Sequence, residues 1–546
     1  MSIPIKVALL WHQHQPYYEA GGILRLPWVR LHATKDYLEM AEHLRHFPGM
    51  HATINLVPSL LEQLEGYANG MAEQLLDTCR KPVSTLSSEE RAYISKYCRM
   101  ANHERMVSRS ERFKELVMKQ HGLDDQELLD LIVLFHLAWS GEFLRESPLL
   151  KALIAQDKDF TEDQKHQLLD AGLKAVAAVI DSHKELESRG YVELSCTPFY
   201  HPILPLLCST DSAKDATPEV SLPPEFSERN DAAEQVRRAV EAHSRHFGHG
   251  PNGMWLAEGS MSFEALSVLA EHKIRWTASD EAVLNNSLSD SEREYGDFEK
   301  YFLRRFGNEG DGVFLFFRDH ALSDKIGFDY QRWDAADAVT DFIGDIKRIR
   351  AGIIERFGEE VLESACVSII LDGENCWEGY PNNGYEFLTT LYKMLSEDEE
   401  IKPVTFSEAV AGIGVDHIRG IGRICAGSWI NGNFRVWIGD GEKNQAWNLV
   451  AMVSADYKKT IASGITKGAE EAYTAVLKAE GSDWFWWLEE GHHTPDQALF
   501  DELFRAHLRD VYLALELPVP PILDQPIGLE KRTPAFSSMR RAKSVN

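Results

Sequence analysis

Two acidic residues stand where apolar runs stop. Glu258 follows the apolar part of "NGMWLAEGS" (252–260), three residues after Trp255, and Asp372 ends the run "VSIIL" inside "ACVSIILDGEN" (365–375). A carboxyl group set half inside apolar surroundings is costly to ionise and has a perturbed proton affinity. Two such acids facing each other are what glycoside hydrolysis uses: one protonates the leaving oxygen, the other attacks or activates water. Each also reads as a helix cap or as the partner of a nearby arginine. A second cluster lies in "LLWHQHQPYY" (9–18), where a strand-like run ends on His12 and His14. Residues i and i+2 of a strand share a face. Both imidazoles can therefore address one cavity, as metal ligands, as partners of sugar hydroxyls or as a proton relay.

Seven short apolar, β-branched runs supply the positioning elements: 5–11, 51–57, 191–200, 252–260, 274–280, 312–320 and 365–375. Strand then helix, repeated, predicts an α/β fold of parallel strands, as a barrel or an open sheet. In such folds ligands sit at the carboxyl ends of the strands. Polar groups gather there: Glu193 within the third run and His201 beyond it, Glu258 after the fourth, and Asp280 and Glu281 after the fifth. Arg318, Asp319 and His320 follow the sixth; Asp372, Glu374, Asn375, Trp377 and Glu378 follow the seventh. Glu374 competes with Asp372 for the acid role, since it shares that face if the strand continues. Asp319 and Asp324 read equally as ion-pair partners of Arg318 and Lys325. Residues 86–189 break the rhythm with the cap signals of "SSEERAYISKY" and "TEDQKHQLLDAGLKAVAAVI", which predicts a helical insertion. Beyond about residue 415, "KNQAWNLVAMVSADYKKTIASG" and "TPDQALFDELFRAHLRDVYLAL" predict helices, and the Pro-rich, then basic end predicts a surface strap or a partly disordered tail.

A chain of 546 residues exceeds one small core, so two or three domains, or a barrel with additions, are expected. The 57 basic and 85 acidic residues give a formal charge of −28, which argues against nucleic acid and anionic membrane as partners and leaves a neutral substrate unaffected. "SIPIKVALLW" after Met1 lacks a basic region and a cleavage site, no apolar run approaches the roughly 18–20 residues of a membrane span, and the seven cysteines show no paired spacing. A cytoplasmic protein with reduced thiols is the expectation. Trp429, Trp437, Trp447, Trp484, Trp486 and Trp487 crowd the C-terminal part. Such rings suit the apolar faces of pyranose sugars, although about half of them read as core.

"HQHQP", "GYVELSCTPFYHPILPLL", "NGMWLAEGS", "SIILDGENCWEGYPNNG" and "SDWFWWLEEGHHT", in this order, resemble the segments of glycoside hydrolase family 57 over residues 5 to about 510. The resemblance implies an incomplete (β/α)7 TIM-like barrel over 1–412, with the insertion at about 86–189. It further implies a C-terminal helical domain over 413–520 that contributes to the substrate cleft, followed by the tail 521–546. A retaining reaction on α-glucosidic bonds follows, with Glu258 as nucleophile and Asp372 as acid/base, needing neither metal nor organic cofactor. The matched segments and the tryptophan supply place His12, His14, Glu193, His201, Trp255, Glu374, Trp377, Trp429, Trp437, Trp484 and His492 at the sugar, with Asn444 a further candidate. The expected substrate is an α-glucan or malto-oligosaccharide, cleaved as by α-amylases and amylopullulanases or passed on by 4-α-glucanotransfer. Two other readings stand beside it. One is a metal-dependent carbohydrate enzyme built on His12, His14 and Asp372 or Asp319, and the other a non-catalytic glycan-binding barrel.

Overall fold

The computed structural model describes residues 2–528 except 120–121, 309–311, 414–417, 490 and 493. Six of the seven apolar runs form strands: β1 (Ile5–Gln13), β2 (Ala52–Leu56), β3 (Val192–Ser195), β4 (Trp276–Asp280), β5 (Val313–Arg318) and β6 (Cys366–Asp372). Their near-continuous apolar sequences are those of strands covered on both faces, and every residue of β2 to β5 is buried. A short strand that the periodicity gave no sign of, β7 (Ile401–Val404), pairs in parallel with the first half of β1. Among the described residues the sheet has nine strands and is dominated by parallel pairs; Arg304–Phe306 runs antiparallel to β5.

Register decides which side chains share a level. β1 pairs with β6 from Lys6–Cys366 to His12–Asp372, and with β2 from Leu10–Thr53 to Gln13–Leu56. His12, Asn55 and Asp372 therefore stand side by side at the carboxyl ends of adjacent strands. β2 pairs with β3 and β4 with β5, while β5 meets β6 through Arg318 and Ser368.

The fourth run makes no strand of its own. Met254 bridges to Cys196 after β3, and Gly253 bridges to Trp276 of β4. The Trp255 N–H donates to the Cys196 carbonyl at 2.9 Å and the Met254 N–H to the Trp276 carbonyl at 3.0 Å. The chain then turns at Ala257–Gly259, where Glu258 has the left-handed backbone φ 57°, ψ 25°. A non-glycine residue held there costs about 1–3 kcal/mol, a strain that concentrates at functional sites.

The helices form where their caps were legible. Ser87 and Glu90 make a reciprocal capping box before Ser88–Tyr97, and Thr161 and Gln164 make another before the 27-residue helix Glu162–Ser188. That long helix packs on Leu38–Arg45 and Pro58–Ala68, tying the helical block to the segments that follow β1 and β2. Helices Gly441–Ala462, Ala469–Ala479 and Gln497–Ala514 pack together after β7. The start of the tail turns at Pro521–Asp524, buries Leu523 and offers its carbonyl to Arg505 and Arg509. The basic end, 529–546, lies outside the described residues.

The Gly253 junction leaves no room for a side chain, since a Cβ there would lie 1.8 Å from the Trp276 ring. Gly253→Ala is expected to destabilise the fold by about 1–3 kcal/mol through overpacking and to lower the urea midpoint. An unchanged midpoint would contradict this account of how β3 connects to β4.

Candidate active site

A cavity of about 1640 Å³ opens at the carboxyl ends of the strands. Its floor carries His12 and His14 from β1 and its extension, Glu258 from the strained turn, Arg318 at the end of β5 and His320 just after it, and Asp372 and Glu374 from β6 and its extension. One wall is helical, with Arg91, Lys96, Arg99 and Trp139; another holds Asp483, Trp486 and Trp487 from the C-terminal region. Glu258 and Asp372 are part-exposed to this space, whereas Glu374 is 2% exposed and its Oε1 accepts the His14 backbone N–H at 3.2 Å.

The histidines form an ordered array. Asn55 turns its carbonyl oxygen to the Thr197 hydroxyl at 2.9 Å and to His12 Nδ1 at 2.7 Å, so Nδ1 of His12 carries the proton. Nε2 of His12 is then the acceptor for Nε2–H of His201, 3.2 Å away, and Nδ1 of His201 accepts from the Ser482 hydroxyl at 2.8 Å. Burial pushes His12 down to about 3 and His201 well below its usual range, so both rings are neutral. His14 stacks on His201 with ring centroids 3.8 Å apart and donates through Nε2 to Asp483 at 2.9 Å. His14, His201 and Asp483 bring potential ligand atoms close together. Stacked imidazoles, however, send their lone pairs along parallel planes, and both nitrogens of His201 are engaged. The array fits a hydrogen-bond brace better than a tetrahedral metal site.

Charge around the two acids is lopsided. Arg318 donates from Nε to the Ile370 carbonyl at 2.7 Å, from Nη1 to Asp280 at 3.2 Å and from Nη2 to Asp324 at 2.8 Å. His320 bridges the same two aspartates and is raised to about 9 by them. Burial, then the Asp372 charge, raises Glu258 to about 8 against the indole N–H of Trp429, which donates to Oε2 at 2.8 Å. Asp372 is raised by burial, with the Asn375 amide, His14 and Arg318 opposing. Each acid is biased towards its protonated form, and the Asp372 charge adds to that bias at Glu258, so the pair favours sharing one proton.

The profile of Glycosyl hydrolase family 57 matches residues 8–419. The chain belongs to this family. A search of curated proteins gives no match. Among solved structures, a GH57 branching enzyme from the hyperthermophilic archaeon Thermococcus kodakaraensis aligns over 99% of this chain and 100% of its own, at 16% identity and a TM-score of 0.60. The α-amylase AmyC from Thermotoga maritima aligns over 94% and 93%, at 15% identity and 0.59. A 4-α-glucanotransferase from Thermococcus litoralis aligns over 94% and 59%, at 16% identity and 0.52. At these identities the likeness is one of fold.

In this family 57 chain the sugar-contact expectations divide. Glu258, Asp372, His12, His14, Glu374 and Trp429 line the cavity. His201 lies beneath them, fully buried. Glu193 is away from the cavity: it accepts from the Trp276 indole at 2.8 Å and from the Ser407 hydroxyl at 2.6 Å within the strand packing. Trp255, Trp377, Trp437 and Trp484 are core side chains, at most 3% exposed. His492 stacks on Trp486, one layer behind the wall. Asn444 caps its own neighbourhood, accepting the Gly439 N–H and donating to Ser221. Asp319 turns to Tyr301 and Lys300 rather than Arg318, and Lys325 pairs with Asp341 and Asp345. Asn55, Trp28, Trp139 and Asp483 were not singled out from sequence; Asn55 had a signal, as a polar residue inside the apolar run "HATINLV".

An acid whose folded affinity for protons exceeds its unfolded one makes the folded state the stronger proton binder. Stability then falls as pH rises from about 4.5 towards 8, and the penalty is complete above that. Glu258→Gln is expected to stabilise the fold at pH 9 by an amount on the order of 3 kcal/mol, read as a raised melting temperature, and to do so much less at pH 5. Equal effects at both pH values would contradict the burial of Glu258.

Proposed function

We propose that the protein is a retaining α-glucan enzyme, with Glu258 as nucleophile and Asp372 as acid/base, working without metal or organic cofactor. The observation that carries this reading is the pair itself: two part-exposed carboxyls with raised proton affinity that face one aromatic-walled cavity at the strand ends. Asp372 gives its proton to the glycosidic oxygen while a Glu258 oxygen bonds to the anomeric carbon and the glycosidic bond breaks. Water or a sugar hydroxyl then bonds to that carbon, passes its proton to Asp372 and releases the Glu258 carboxylate. The reactive arrangement has the shared proton on Asp372 and the negative charge on Glu258. Glu374, sealed beneath His14, is a poorer candidate for the acid.

Trp486 and Trp487 offer ring faces to pyranoses, and His14 Nδ1 has no protein partner among the described residues. His12 and His201 brace the floor, since each has both nitrogens engaged. In this reading 1–412 form a (β/α)7 barrel with the helical insertion, 413–520 close the cleft, and the enzyme works in the cytoplasm on starch- or glycogen-like chains. No helix among the described residues is long and apolar enough to cross a membrane.

A second reading, glucan transfer, is favoured by the size of the cavity. Its reach from the carboxyls to Arg91, Lys96 and Trp139 leaves space for an acceptor chain beside the donor. The structural neighbours include a branching enzyme and a 4-α-glucanotransferase as well as an amylase.

Product analysis on a defined malto-oligosaccharide separates these: shorter chains alone indicate hydrolysis, and products longer than the substrate indicate transfer. Under either, Glu258→Gln is expected to lower kcat by at least about 10³-fold and Asp372→Asn by about 10²–10⁴-fold. The wild-type rate is expected to fall as pH rises through about 8, where the shared proton leaves. A Glu258→Gln variant within about tenfold of wild type would overturn the assignment.

A further inference from the structure

Trp429 comes from the segment after β7, outside all seven apolar runs, yet it touches the nucleophile twice. Its backbone N–H donates to the Glu258 carbonyl at 2.9 Å and its indole N–H to Glu258 Oε2 at 2.8 Å. The ring is itself held. Trp255 meets it edge-on with centroids 5.3 Å apart, and the guanidinium of Arg318 lies 5.4 Å from its centre. Arg318 is fixed from β4, β6 and the helix after β5 by Asp280, Ile370 and Asp324. Gly259 must lack a side chain for the turn to approach, since a Cβ there would lie 2.8 Å from Trp255 and 3.4 Å from Trp429.

Resting on the reading of Glu258 as nucleophile, we infer that Trp429 is a positioning residue that fixes Oε2 of Glu258, leaves Oε1 to attack, and favours the ionised carboxylate. A cation over an indole face draws electron density from the ring and strengthens its N–H as a donor. The fixed charge of Arg318 thus reaches Glu258 through Trp429. Glu258 otherwise faces Asp372 from β6 and Asp483 from the C-terminal region, both of which disfavour its ionised form. The indole bond is the directed contact that opposes them. A wall residue serving only as a sugar platform would need neither the indole bond nor the cation behind the ring.

The test is the pH dependence and kinetics of Trp429→Phe, and of the full-length protein carrying benzothienylalanine at position 429, which replaces only the ring N–H by sulfur. Both are expected to lower kcat by about 10–100-fold with little change in KM, to slow formation of the glycosyl enzyme rather than its breakdown, and to move the alkaline limb to higher pH. The sulfur analogue keeps the shape of the ring, so it answers even if Trp429→Phe folds poorly. A raised KM with an unmoved alkaline limb would make Trp429 a sugar platform and overturn the inference. Glu258→Gln measured alongside keeps the two ideas apart: if it stays active, the nucleophile assignment fails, whereas an inactive Glu258→Gln beside an unaffected analogue refutes the role of Trp429 alone.

Discussion

Keeping two carboxyl groups in one desolvated cavity is the constraint that the surrounding residues answer. Burial raises both Glu258 and Asp372, and their mutual repulsion raises Glu258 further. Such a pair is tolerable when it shares a proton and when fixed donors and cations offset the charge that remains. Arg318 supplies the cation, and three separate acceptors hold it in place. The Asn375 amide supplies a donor to Asp372 at 3.1 Å, and the Trp429 indole does the same for Glu258. The neutral His12 and His201 add no charge and fill the floor with fixed hydrogen bonds.

The site is assembled from both ends of the chain. β1, β2 and β6 set His12, Asn55 and Asp372 at one level through their register, and the turn after Met254 lifts Glu258 beside them. The C-terminal region then completes what the strands leave open: Ser482 orients His201, Asp483 orients His14 and Trp429 orients Glu258. The helices that carry or support these residues bury Trp447, Phe485 and Phe504 against one another, so the geometry of the floor depends on a core remote from the strands.

Much of this was legible in the sequence, for physical reasons. The apolar runs had to be strands because their residues are covered on both faces, and the carboxyl ends had to hold the polar groups because that is where a parallel sheet opens. Glu258 and Asp372 stood out as acids ending apolar runs. β7 went unseen because "IKPV" is short and contains a proline and a lysine. The fourth run has the composition of a strand, but only its first residues bridge before the chain turns at Glu258. Tertiary packing decided the rest: Trp437 and Trp484 share composition and neighbourhood with Trp486 and Trp487, and only the packing of the C-terminal helices sends the first two inward. A buried carboxyl such as Glu193, satisfied by an indole and a serine, looks in sequence like one waiting for a ligand. Asp483 and Ser482 could not be paired with His14 and His201 across more than 280 residues without the fold.

That Glu258 bonds covalently to sugar is tested most directly by trapping. The full-length protein is incubated with a 5-fluoro-α-glycosyl fluoride of maltose, which forms a glycosyl enzyme quickly and releases it slowly, then digested and mapped by mass spectrometry. The expected result is one sugar per chain on the peptide containing Glu258, with loss of the anomeric fluoride and none of the label in Glu258→Gln. A label on Asp372 or Glu374 instead, or fluoride release with inversion and no covalent adduct, would contradict the assignment.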